Sequence, residues 1–324
     1  MAAAAAAQDQ KRVKVAPKLQ AVHNIEAWYE ENKALFSPPV CNKLMFKEQL
    51  NIMFVGGPNT RTDFHLDLGS EFFFQMKGNM RLPTIQKGQR KVVEISEGHV
   101  FLLPSRIPHS PQRPEAGSFG LVIERSRAAD EKDGLRWYTD FESPDKVLWE
   151  RYFHCGDLGR DLVPVVKDFK ASPEAASLVP GDNVVADADR PWHQDTDTTV
   201  PDPFPFADFV AAHKAELDAG AALPLFSEDH PDNEFSVLVC GGGGNHDGAV
   251  RWKHDTWLYQ HTGTAKVAVD GEVTELAEGC CAVVPADTWY SVERAAGSVG
   301  LVVMQDPLGN KGDGAKRPVV EAKA

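Results

Sequence analysis

Residues 24–36, NIEAWYEENKALF, place Ile25, Trp28, Tyr29 and Leu35 at helical intervals, so the chain opens on an amphipathic helix. Pro38 and Pro39 follow and end it, because a proline has no amide donor and its ring clashes with the turn before it. From Lys43 to Glu124 the pattern changes to short apolar runs, LNIMFVGG, EFFFQMKG, KVVEI, HVFLLP and FGLVIER, separated by Gly, Pro and Asn. Runs spaced about ten residues apart predict a string of strands in a sandwich or barrel. Residues 125–170 combine a strand-and-turn region at GLRWY with a stretch, DKVLWERYFHC, that reads as helical. The next 35 residues, 171–205, hold six prolines and little periodicity, which predicts a linker or surface crossing. PFADFVAAHKAELDAG, 205–220, reads as a second amphipathic helix closed by Gly220. The short-strand texture returns from Glu234 to Gln305, and the charged, Gly/Pro-rich residues 310–324 read as a loose tail.

The two strand-rich regions repeat one another. FFFQMKGNM (72–80) lies over WLYQHTGTA (257–265), GHVFLLPSRIPHS (98–110) over GCCAVVPADTWYS (279–291), and SFGLVIE (118–124) over SVGLVVM (298–304). Gly98 and Pro104 keep the same spacing as Gly279 and Pro285. Any two barrels share glycines and alternation, but three blocks in one order with matched spacing point to duplication. Each copy resembles the cupin jelly roll. The fold expected is therefore mainly β, with two tandem cupin barrels and a few peripheral helices. The first barrel is expected over residues 21–170 and the second over 206–309, with the acidic linker 171–205 between them.

The first copy carries His65, Asp67 where that motif has a second histidine, Glu71 and Gly78, and then Gly98, Pro104 and His109. Asn59, Arg106 and Arg113 stand where the cupin motifs have Gly, Gly and Asn. Two imidazoles and one carboxylate with open positions make the facial triad of non-haem Fe(II) oxygenases, so His65, Glu71 and His109 are the candidate metal ligands. Asp67 is a weaker candidate for a fourth. In the second copy the same positions hold Val250, Thr256 and Tyr290, with Arg294 over Arg113. That barrel is expected to keep the fold without the metal. His246, His254 and His261 fall off the motif and read as surface residues.

Around the triad, Arg61 and Arg113 would suit a carboxylate held in a guanidinium fork if both enter the barrel. Glu124 ends an apolar run whose neighbours belong to a core, where a carboxylate could accept hydrogen bonds or move a proton. Alone, each arginine would read as a solvated surface residue.

Composition narrows the partners. The 324 residues carry 34 Lys and Arg against 47 Asp and Glu, a formal charge of −13, which disfavours nucleic acid or an anionic membrane as partner. Fourteen of the acidic residues lie between 171 and 235, against only Arg190 and Lys214, so nearly all of the net charge belongs to residues 171–235. No run approaches the roughly 18 apolar residues of a membrane span. The five cysteines are odd in number and form no C-x-x-C, which predicts reduced thiols in the cytoplasm. Residues 1–20 have an alanine run ahead of the basic residues. They read as a disordered leader without signal-peptide character.

PPVCNKLM (38–45), IMFVGGPNTRTDFH (52–65), LLPSRIPHSPQR (102–113), LVIER (121–125), DGLRWY (133–138) and MQDP (304–307) resemble the 3-hydroxyanthranilate 3,4-dioxygenases over roughly residues 24–308. Eukaryotic members of that family are two-cupin chains with one active site in the N-terminal half. Bacterial members are single cupins with a cysteine-rich C-terminal iron site, and this chain has no such cysteines. The resemblance implies Fe(II) on His65, Glu71 and His109. It implies Arg61 and Arg113 on the substrate carboxylate, Glu124 near the substrate hydroxyl and amino groups, and Asn42 lining the pocket. The implied reaction joins 3-hydroxyanthranilate and O2 to give 2-amino-3-carboxymuconate semialdehyde, which closes to quinolinate, a precursor of NAD. Two cupins in one chain mimic a dimer internally, so a monomer is expected. A different metal cupin (another aromatic dioxygenase or a zinc sugar-phosphate isomerase) is the competing enzyme reading, and a storage or scaffold bicupin the non-enzymatic one.

Overall fold

A computed structural model of the chain describes residues 18–36, 41–232, 234–243, 249–306 and 321–322. The expected leader therefore falls almost entirely outside the described residues, as does most of the expected tail. Within the tail only Glu321–Ala322 is described, as a short strand beside Val250–Arg251.

Two β-barrels account for most of the described residues, as the repeat predicts. In the first, a six-stranded sheet runs in the order 204–205, 99–103, 71–77, 119–125, 50–56, 42–47. It faces the strands Phe64–Leu66, Asp133–Tyr138 and Val147–Phe153 and the hairpin of Met80–Gln86 with Gln89–Ile95. In the second, the six-stranded sheet runs 23–24, 280–284, 256–262, 299–305, 235–241, 222–224. Because side chains alternate across a sheet, each six-stranded sheet sends one set inward and the other outward. Met53, Phe73, Phe101 and Val122 fill the first barrel, and Leu258, Val267, Ala282 and Val302 fill the second. The outward sets, including Phe72, Phe74, Leu121 and Ile123 of one sheet and Val237, Trp257, Val283 and Leu301 of the other, form a single buried core between the barrels.

The junction is also polar at its edge. Glu234 of the second barrel accepts from Arg125 Nε at 2.7 Å and from Ser70 N at 2.9 Å, and Asp255 accepts from Gln49 N at 2.9 Å. The barrels exchange short strands: His23–Asn24 pairs with Cys280–Cys281 of the second barrel, and Phe204–Pro205 pairs with His99–Val100 of the first.

The repeat is physical as well as textual. Gly98 and Gly279 both take the left-handed conformation, with φ of 77° and 74°. Arg106 and Asp287 hold the same conformation, with φ of 61° and 56°, where the cupin motif has glycine. Gln75 and Gln260 sit at matching bulges, each donating Nε2 to the carbonyl two residues on, at 2.9 and 2.8 Å.

Three local expectations need correction. DKVLWERYFHC is not helical: Val147–Phe153 is a strand paired with Asp133–Tyr138, and the helix is Leu158–Ala171, capped by Asp157. Leu148, Trp149 and Glu150 are all buried, so the strand lacks the alternation that would have marked it. In the first helix, Ile25–Asn32, the chain tightens into a 3-10 turn over Lys33–Leu35. That rotation leaves Leu35 49% exposed and buries Phe36 instead. The second amphipathic helix is split at His213 into Phe206–Ala212 and Lys214–Asp218.

Candidate metal centre

His65, Asp67, Glu71 and His109 come together in the first barrel, with ligand atoms all within 4.8 Å of one another and every side chain buried. Three separate segments deliver them. His65 is the middle residue of Phe64–Leu66, whose neighbour is Leu135 of the strand Asp133–Tyr138. The chain then turns through Gly69 and enters the six-stranded sheet at Glu71, opposite Leu103. His109 arrives on an extended segment that exchanges backbone hydrogen bonds with His65, at 2.7 and 3.1 Å. Crossing between sheets, rather than strand parity, is what makes His65 and Glu71 converge.

His109 Nε2 lies 3.2 Å from Glu71 Oε1, and His65 Nδ1 lies 3.8 Å from the same oxygen. Each ring is turned by its other nitrogen: His109 Nδ1 bonds the Ile107 carbonyl at 2.9 Å, and His65 Nε2 bonds Asp133 Oδ2 at 2.9 Å. Outer partners of this kind select which nitrogen faces a metal. Burial opposes charge on Glu71, yet His109, His65 and Arg127 hold its carboxyl down at about 2. Burial also opposes the His109 imidazolium, but Glu71 and Asp67 push it up to about 9. The cluster thus holds a proton where a divalent cation would displace it. Two imidazoles with carboxylates and no thiolate suit iron, zinc or manganese, so the residues present fit a resident metal of that class.

Arg113 is 1% exposed, and its Nε and Nη2 have no hydrogen-bond partner. Burial lowers its pKa to about 10. An orphaned buried guanidinium is costly unless an anion joins it. Arg61 forms an ion pair with Asp63 and is half-buried at 24% side-chain exposure. Its backbone is clamped by Gln112, which accepts from Arg61 N at 3.0 Å and donates to Arg61 O at 2.6 Å. Glu124 is buried in the strand Phe119–Arg125, and burial raises its carboxyl to about 7 against the pull of Arg127. It borders a cavity of about 230 Å³ shared with Asn42, Asn51, Met53, Arg127 and Cys155. Asn51 lies opposite Glu124 in strand register, and its Oδ1 is buried without a partner. Asn42 is half-buried at this mouth. Arg61, Arg113 and the residues of the metal cluster are not among those that line this cavity.

Three residues of the site, Asp133, Arg127 and Gln112, are absent from the reading of the sequence. The first two lie in ERSRAADEKDG, a charge run that resembles a solvated loop. Gln112 gave no signal beyond its place between His109 and Arg113.

In the second barrel the matching positions stay unsuited to a metal. Thr256 and Tyr290 are buried, and Trp252, at the place of Asp67, joins Leu258, Tyr290 and Met304 in an apolar interior.

The family model "3-hydroxyanthranilic acid dioxygenase" matches residues 19–170. The mouse protein named 3-hydroxyanthranilate 3,4-dioxygenase is 43% identical over 287 residues, covering 89% of this chain and 97% of its own. The human protein of that name is 40% identical over 288 residues, covering 89% of this chain and 97% of its own. The protein of that name from Nematostella vectensis is 42% identical over 288 residues, covering 88% and 99%. Identity at this level along nearly the full length of each relative places the chain in the 3-hydroxyanthranilate 3,4-dioxygenase family.

Proposed function

We propose that this chain opens the ring of 3-hydroxyanthranilate with dioxygen at a single Fe(II) site in the first barrel, held by His65, Glu71 and His109. The observation that carries the reading is the buried cluster of those three residues with Asp67, in a chain of this family. Fe(II), when bound, supplies a Lewis acid for the adjacent hydroxyl and amino groups of the substrate and a redox partner for dioxygen. Arg113, with its unmatched buried donors, takes the substrate carboxylate, and Arg61 supports it from the rim. Glu124, poised near neutrality, takes the proton of the substrate hydroxyl as the ring is activated. Asn42 borders the same mouth. The closed barrel excludes water from the reacting ring. Both oxygen atoms enter the product, 2-amino-3-carboxymuconate semialdehyde, which closes to quinolinate and feeds NAD synthesis.

The chain acts as a monomer, because the outer faces of the two six-stranded sheets already cover each other. All five cysteines are free, which fits a cytoplasmic protein. No described helix is long and apolar enough to cross a membrane. The test is oxygen uptake by protein reconstituted anaerobically with Fe(II). Addition of 3-hydroxyanthranilate should consume one O2 per ring with a rise in absorbance from the opened product. Protein that binds Fe(II) stoichiometrically and consumes no oxygen with this substrate would overturn the assignment.

A further inference from the structure

One guanidinium touches both halves of the proposed site. Arg127 is 6% exposed at its side chain and sits three residues beyond Glu124. Its Nη1 lies 2.9 Å from Glu124 Oε2 and also donates to the Arg125 carbonyl at 3.2 Å. Its Nη2 lies 2.9 Å from Asp133 Oδ2 and 3.4 Å from Asp67 Oδ2, and its Nε donates to Asp133 Oδ1 at 3.1 Å. A guanidinium has five N–H donors in a rigid fork; here four hydrogen bonds go to Asp133, Asp67 and the Arg125 carbonyl, and Glu124 Oε2 is held by ion pairing without hydrogen-bond geometry. Asp133 in turn holds His65 Nε2 at 2.9 Å, which leaves His65 Nδ1 facing Glu71. Three buried carboxylates, Glu124, Asp133 and Asp67, therefore share one planar cation, and each belongs to the metal cluster, to its orientation or to the cavity.

We infer that Arg127 is a positioning residue that fixes the Glu124 carboxylate and, through Asp133, the His65 imidazole in one rigid frame. Resting on the function proposed above, this adds a group that acts on the site through Glu124 and Asp133. A fork is required because the acceptors lie in three directions around a plane. An ammonium is a compact donor on a flexible stem and cannot face all three in fixed geometry. Neutralising buried acids is a weaker role that a lysine would also fill, so the two roles separate experimentally.

The test is Arg127→Lys, which keeps the charge and removes the fork. Co(II) is titrated anaerobically into wild type and variant and followed by its visible absorption, with melting curves alongside. Outer partners of metal-bound histidines are worth about 10- to 100-fold in affinity or activity. The variant should melt with wild type yet bind Co(II) about tenfold more weakly. With Fe(II) and 3-hydroxyanthranilate, kcat should fall by a larger factor than KM rises. Equal Co(II) affinity overturns the inference and leaves Arg127 as a charge neutraliser. Should the lysine variant not fold, Asp133→Asn carries the same titration, and unchanged Co(II) affinity there also overturns it. Because the Co(II) titration needs no substrate, it decides the role of Arg127 even if the assigned reaction fails.

Discussion

The two barrels are the same construction with opposite interiors. Both keep left-handed residues at the turns after Gly98 and Gly279, both place a glutamine at a matching bulge, and both set an arginine over a glycine. Arg113 lies against Gly120 and Arg294 against Gly300, where an added Cβ would stand 3.3 and 2.7 Å from the guanidinium. The difference lies in what fills the remaining volume. In the first barrel four buried polar ligands face each other. In the second, Trp252, Leu258, Tyr290 and Met304 pack the interior. The first barrel also has the antiparallel pair Asp133–Tyr138 and Val147–Phe153, which braces the His65 strand and brings in Asp133. In the second, Val250–Arg251 lies between Tyr290–Arg294 and the two-residue strand Glu321–Ala322. A fold shared by both barrels therefore says nothing about chemistry by itself; the ligands and their bracing decide it.

This contrast can be broken at its strongest point by giving the first barrel the residue of the second. His109→Tyr, copying Tyr290, should abolish both metal binding and oxygen consumption, as read by metal analysis after gel filtration. Full metal occupancy in that variant would mean that the metal lies elsewhere. A smaller effect separates the paired arginines. Arg113→Ala should raise KM on the order of a hundredfold, the loss of about 3 kcal/mol expected for a charge-assisted fork, with metal content unchanged. Arg294→Ala should leave KM alone. Equal kinetics in the two variants would show that Arg113, like Arg294, only packs over its glycine. The smallest effect is on stability alone. Trp252→Ala should cost about 3 kcal/mol in denaturant unfolding, the scale of a large core truncation, while the kinetics of the first barrel stay the same. A change in KM there would show that the second interior communicates with the site.

Much of the fold was legible because its signals are local. Alternating runs and turn residues announced the strands, and the matched blocks announced the duplication. The candidate triad could be named because His65, Glu71 and His109 stand at motif spacings, and the structure brings all three together with Asp67. Misreadings arose where burial hid the period. Val147–Phe153 is covered on both sides, by the helix Leu158–Ala171 through Trp149 and Phe169, and by Arg136 and Arg190 on Glu150. Its pattern therefore resembled a helix. Pro164 lies inside the true helix and masked it.

From the sequence alone come the two barrels, the three candidate ligands of the first copy and their replacement in the second, and the placement of the net negative charge in residues 171–235. Those features follow from residue type and spacing, which the chain carries without folding. Only the tertiary structure turned ERSRAADEKDG from a solvated charge run into the bracing of the site. Arg127 and Asp133 gain meaning when the barrel closes over them, since one buried guanidinium can serve three carboxylates only where separate strands converge. The same closure left the Arg113 Nε and Nη2 without partners in a buried place, a cost that sequence cannot express and that an anionic substrate would relieve.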